Sequence, residues 1–202
     1  MSRTLSAALA LTLAGTGTLA ATIDGAAAAV EDSPSRVVLH DGTGDVWTVS
    51  GDSEVFTKAS FPTTDVTRAV VKHGRYAVRI RMRFADLRRV GYQAYDATVF
   101  TPRRGDYLAT VGSGPGVRQG THQWQAGEAT CRGFTHTMNY DTNLVTMRIP
   151  RTCLGRPRWV KVILENFTSV GDDEASATFY TDNPHNHQEF PSTYTRRLYR
   201  AG

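Results

Sequence analysis

The run Asp41-Gly42-Thr43-Gly44-Asp45 sets two carboxylates around a pair of glycines. A flexible loop of oxygen ligands is what Ca2+ requires, and it takes six to eight of them. Asp41 and Asp45 are therefore the candidate metal ligands and calcium the candidate cofactor. Further oxygens would have to come from Asp172, Asp173, Glu174 or Asp182. The spacing is not that of an EF-hand, and Asp and Gly at these positions also make a tight turn with no ligand at all.

A second pattern is cationic. Arg79, Arg81 and Arg83 alternate with Ile80, Met82 and Phe84. A hairpin closing at His73-Gly74 would place Arg68 opposite Arg79, with Lys72 and Arg81 on the same face. Like charges set opposite one another cost stability. Either the side chains splay into solvent or the face meets an anion. The planar guanidinium fork binds carboxylate, sulfate or phosphate in bidentate fashion, so Arg79 and Arg81 are candidate ligand-binding residues.

Aromatic rings supply a third pattern. Trp47, Tyr92, Tyr95, Tyr107, Trp124 and Tyr140 are placed in or beside loops and strands. A ring with an apolar face and a polar edge is a platform for a sugar. Trp124, between Gln123 and Gln125, is the candidate exposed ring, and Tyr95 is a second ligand-binding candidate. Trp159, beside Val160 and Val162, is assigned to the core or its rim. His185-Asn186-His187 has the spacing of a Zn2+ chelate on a strand. It lacks a third ligand nearby in sequence and reads as tail. No G-x-S-x-G, H-E-x-x-H, P-loop or C-x-x-C motif occurs. Glu128 and Glu165 lie in strand-like segments, where a pair of distant carboxylates could serve glycoside hydrolysis. No residue is assigned a catalytic role.

The elements that must hold these groups are strands. Val37-Val38-Leu39 and Val46 to Val49 flank the acidic turn. Asp65 to Lys72 and Tyr76 to Phe84 alternate with period two, the mark of half-buried antiparallel strands. Tyr76, Val78, Ile80, Met82 and Phe84 share one face. Further strands are expected at 93–100, 107–111, 128–134, 144–149, 159–166 and 175–180, separated by Gly, Pro, Asn and Asp clusters. Pro102 to Asp106 reads as a hairpin turn and Gly112 to Gly116 as a loop. The predicted fold is all-β, an antiparallel β-sandwich of jelly-roll type with one disulfide.

That disulfide joins the chain's two cysteines, Cys131 and Cys153. They lie downstream of a basic start at Met1-Ser2-Arg3, an apolar run from Leu5 to Leu19 and the small residues Ala26 to Ala29. This is the order of a secretory signal, expected over residues 1–29 with cleavage after Ala28 or Ala29. The run is shorter than the ~20 apolar residues a membrane span needs. The expected localisation is extracellular, an oxidising setting in which a disulfide persists. Residues 30–202 then form a single domain, with 181–202 as an extended arm. The net charge is +4, and 20 of the 23 basic residues are arginine. A GC-rich genome produces such a bias, and so does selection for anions such as wall polymers, acidic glycans or extracellular nucleic acid.

Ile149-Pro150-Arg151-Thr152-Cys153-Leu154-Gly155-Arg156-Pro157-Arg158-Trp159-Val160 is the most distinctive segment. With Asp41-x-x-Gly44-Asp45-Val46 and Asp65-Val66-Thr67, it resembles a group of exported actinobacterial β-sandwich proteins carrying P-R-x-C-L-G-x-P-x-W-V. The resemblance runs from about Val37 to Asn166. It implies a secreted sandwich and no activity. The strand order more distantly resembles carbohydrate-binding modules of the family 9 and DOMON type, without a pattern that transfers ligand residues. Without the resemblance, the segment reads as a disulfide-anchored corner. Pro150 blocks further ladder donation, and Arg151 is placed to bond loop carbonyls. The expected function is a non-catalytic binding module for an anionic or neutral polysaccharide of the cell envelope or its surroundings. No specific nucleic acid and no transmembrane segment is expected. A secreted glycan hydrolase or lyase and a protein-interaction or inhibitor domain are the alternatives.

Overall fold

Strand β5 (Ala77–Phe84) shows how the chain becomes a sheet: Val78, Ile80, Met82 and Phe84 are buried, whereas Arg79, Arg81 and Arg83 are exposed. Each buried side chain of this size contributes about 2 kcal/mol. The computed structural model describes residues 34–50, 53, 55–125, 130–171, 176–185 and 193–202, and residues 32–202 form one compact unit. The export segment expected at 1–29 lies outside the described residues, as do Glu128, Asp172, Asp173, Glu174 and His187.

Two antiparallel sheets pack face to face. The smaller runs β1 (Arg36–His40), β4 (Val66–His73), β5, β10 (Leu144–Pro150) and β9 (Thr135–Asn139). The larger runs β3 (Thr57–Ala59), β2 (Val46–Ser50), β12 (Thr178–Asp182), β11 (Trp159–Val170), β6 (Tyr92–Thr101), β7 (Gly105–Gly114) and β8 (Val117–Gln125). The short β13 (Leu198–Tyr199) pairs with the start of β11, below the stretch that β12 occupies. Val71, Ile80, Met82 and Met147 from one sheet meet Tyr95, Val99, Val111 and Leu164 from the other in a continuous core. No helix occurs among the described residues, so none there is long and apolar enough to cross a membrane.

The β4–β5 hairpin differs from expectation in register but not in facing. His73 pairs with Val78 inside the sheet, and the turn is Gly74 to Ala77, closed by the Gly74 N–H on the Ala77 carbonyl at 2.9 Å. Arg68 therefore faces Arg83, and Lys72 faces Arg79. The displacement is an even number of residues, so every side chain keeps its face. Tyr76, expected on the same face as Val78 and Ile80, stands exposed in the turn. His73 is wholly buried: its Nδ1–H donates to the Leu198 carbonyl at 2.9 Å, and its Nε2 accepts from Arg151 Nε at 3.1 Å.

Elsewhere, β1 and β2 lie in different sheets, so Asp41 to Asp45 is a crossing loop and not a hairpin turn. Gly112 to Gly116, expected to be a loop, is the end of β7 and a tight turn into β8. In place of a strand at 128–134, the described part of that segment is a turn leading into β9. The disulfide Cys131–Cys153 ties the entry to β9 to the exit of its partner β10, with a Cα separation of 5.2 Å. Arg151 holds that exit by donating to the carbonyls of Arg75 and Pro157.

Candidate functional site

The outer face of the smaller sheet carries a cationic field. Arg36 pairs with Lys72, Lys72 with Arg79, and Arg79 with Arg148. Four cations thus stand side by side across four strands, about 4.8 Å apart. Arg81 lies two residues along β5, and Arg68 beside Arg83 forms the far row. Arg36, Arg68, Lys72, Arg79, Arg81 and Arg83 line one shallow cleft of 290 Å³ with Val70 and Leu144. The remaining outward residues of the sheet are Val38, His40, Thr146, Thr135, Thr137 and Asn139, and none is a carboxylate. Among the described residues the one ion pair joins Arg88 to Asp86, away from this face. Arg83 and Arg148 rest on the carbonyls of Thr142 and Gly133. Of the expected ligand residues, Arg79 and Arg81 lie at the centre of this field. Arg36 and Arg148 join them only through pairing with distant strands, which no local pattern announces.

The opposite charge collects where the chain crosses between sheets. The Gly44 N–H donates to Asp65 Oδ2 at 2.6 Å, bringing the Asp41–Asp45 loop onto the residue that precedes β4. Asp182, at the end of β12, accepts the Val66 N–H on Oδ2 at 2.7 Å and the Asn183 N–H on Oδ1 at 2.8 Å. Burial pushes the Asp182 carboxyl up to about 7; the two amide bonds oppose this, and the charges of Asp41 and Asp45 add to it. Asp65 is raised as well, by burial first and then by Asp45, against the Gly44 bond. Its Oδ1 is buried with no hydrogen-bond partner. Asp41 and Asp45, expected as metal ligands, thus meet two more carboxylates, Asp182 and Asp65, and Asp65 joins them only through the fold. The four are not drawn into a cage: among the described residues no three His, Cys, Asp or Glu side chains are grouped to hold a metal ion.

Of the expected aromatic platforms, the ligand candidates Tyr95 and Trp124 turn inward, whereas Tyr92 stands exposed. Tyr95 is 1% exposed and packs edge-on against Phe84, so its ring is core and reaches no ligand. Trp124 faces Ala109 in register, stacks on Tyr107 at 5.3 Å and meets Phe134 at 6.2 Å. Its flanking glutamines suggested exposure, but they occupy the outward positions of β8 and Trp124 the inward one. Trp159 is half-buried against Phe100, with the Arg197 guanidinium over its ring. Of the carboxylates considered for hydrolysis, Glu165 faces Asp96 across β11 and β6. Burial raises both carboxyls, and the Asp96 charge adds to the rise at Glu165.

Comparisons with protein-family models, with curated proteins and with solved structures found no match for this chain.

Proposed function

We propose that this protein is a non-catalytic, secreted binding module that holds an anionic polysaccharide on the outer face of its smaller sheet. The observation that carries this reading is the row Arg36, Lys72, Arg79 and Arg148, flanked by Arg68, Arg81 and Arg83 on a face without a carboxylate. An unrelieved row of like charges costs a few tenths of a kcal/mol per facing pair, and a polyanion would turn that cost into attraction. The regular strand pitch suits a chain carrying an anion at each repeat, and the guanidinium fork suits carboxylate or sulfate. The test is titration with polygalacturonate, a neutral glucan and duplex DNA at low and moderate salt. Saturable binding to the uronic polymer, lost in Arg79→Ala/Arg81→Ala, supports the proposal. Equal binding to the neutral glucan, or an unaffected double variant, removes it, and preference for DNA would reassign the ligand.

A second reading attaches to the acidic crossing. Asp65 Oδ1 has no partner, and four carboxylates interact there. Hard oxygen donors suit Ca2+, though binding would have to draw the Asp41–Asp45 loop inward to complete a cage. Calorimetry on chelator-stripped protein decides it: heat with Ca2+, abolished in Asp65→Asn, supports a structural cation, and no heat at millimolar Ca2+ ends the idea.

A further inference from the structure

His122 on β8 and His136 on β9 come from the edges of different sheets and meet, with their Nδ1 atoms 3.0 Å apart. By register His122 lies beside buried Val111 and His136 beside buried Met147, although at these open sheet edges His122 is exposed and His136 half-buried. The His122 ring lies against Phe134, centroids 4.8 Å apart. His136 Nε2–H donates to the Gln119 carbonyl at 2.9 Å. That bond fixes the tautomer and leaves His136 Nδ1 with a lone pair aimed at His122. A ring nitrogen held by a backbone carbonyl while the other faces a neighbour is the arrangement that orients metal-bound histidines. The approach depends on Gly120, at φ +73°: a Cβ there would lie 2.7 Å from Met138 Sδ, 2.9 Å from the Gly112 carbonyl oxygen and 3.3 Å from His136 Nε2.

We propose that His122 and His136 form a two-nitrogen site for a divalent transition metal, Cu2+ in preference to Zn2+, clipping the two sheets together at their open edge. In this structure His122 Nδ1–H donates to the His136 Nδ1 lone pair; a metal would take the place of this bond once the His122 proton moves to Nε2, leaving the two Nδ1 nitrogens for one ion. Bonds of about 2.0 Å to atoms 3.0 Å apart subtend an angle of roughly 97°. That is near the right angle of a tetragonal ion and narrower than a tetrahedral one, which favours Cu2+, also the tightest-binding divalent ion of its row. Water fills the remaining positions, because His122 is exposed.

The experiment is a titration of the full chain with Cu2+, followed by calorimetry and electron paramagnetic resonance. One equivalent should bind with couplings to two imidazole nitrogens, and the melting temperature should rise. His122→Gln and His136→Gln should each weaken binding at least tenfold and remove one nitrogen coupling, while His187→Gln changes neither. If His136→Gln loosens the fold through its Gln119 bond, the exposed His122→Gln still reads the site, with the apoprotein melting curve as control. Absence of saturable Cu2+ binding at 0.1 mM, on the order of a weak two-ligand site, overturns the proposal. So does a spectrum unchanged in both variants. Displacement of Cu2+ by equimolar Zn2+ overturns the choice of metal.

Discussion

The cationic face and the acidic crossing are two solutions to the same problem, like charges held close together. On the smaller sheet, Arg36, Lys72, Arg79 and Arg148 project outward from a flat row. Their long side chains splay, and water and salt screen them. At the crossing, Asp65 and Asp182 are 3% and 2% exposed, and neither can move away. There burial first, and then the charges of Asp41 and Asp45, raise the Asp182 carboxyl to about 7, so the cluster is relieved by protonation. The comparison teaches that the sign of a charge cluster says less than its depth. An exposed cluster is available to a partner at little cost to the fold. A buried one is tied into folding and answers first to pH.

The largest expected effect separates both regions from the scaffold that carries them. Cys153→Ser opens a loop with a sequence separation of 22 and should cost about 3 kcal/mol. Thermal melting should show a fall of roughly 6–12 °C for a domain of this size. Polyanion affinity of the folded protein should hold, and a parallel loss of affinity at unchanged stability would move the binding surface to the disulfide corner. Next in size is the double variant Arg79→Ala/Arg81→Ala. Removing two central cations should weaken binding to polygalacturonate by about 2 kcal/mol, roughly 30-fold. Its melting temperature should not drop; a clear drop would mean that the row supports the fold.

The third concerns pH. Asp182 holds its proton to about 7 in the fold, whereas an unfolded aspartate releases it near its ordinary 3.8. The fold therefore binds the extra proton between those values, and stability falls as pH rises through them. His185 works in the opposite sense. Burial lowers it to about 4, so its contribution is complete above its ordinary 6.5 and is lost as pH falls towards 4. Its Nε2 accepts the Leu164 N–H at 2.9 Å and cannot do so once protonated. Asp41→Asn isolates the acidic part, because the amide oxygen can still accept the Gly42 N–H. Denaturation between pH 4 and 8 should show the variant gaining on the parent as pH rises; parallel curves would show that the crossing does not couple these carboxylates.

The smallest effect tests the exposed cluster alone. Arg81→Thr should stabilise the ligand-free protein by a few tenths of a kcal/mol at low salt, and the gain should vanish near 0.5 M. A gain that persists in salt would mean that the row is less exposed than its geometry indicates.

The strands that could be read in advance were those with one buried and one wet face. β5 alternates strictly because Val78 to Phe84 faces the core and Arg79 to Arg83 faces water. β8 gives no period-two signal because it lies at a sheet edge and carries Gly120, so its alternation is broken. The same edge position misled the reading of Trp124, whose facing was set by pairing with β7. Asp65 was legible as a strand opening but not as a neighbour of Asp45, because a bond between Gly44 and Asp65 spans 21 positions.

By itself the sequence determined the all-β class, the cysteine pair and the face on which Arg79 and Arg81 stand. These follow from periodicity and composition, which are local. Tertiary structure alone decided which cations share a row, which carboxylates share the crossing and that His122 meets His136. Those depend on register between strands far apart in the chain, and register is set by how two sheets fill one core.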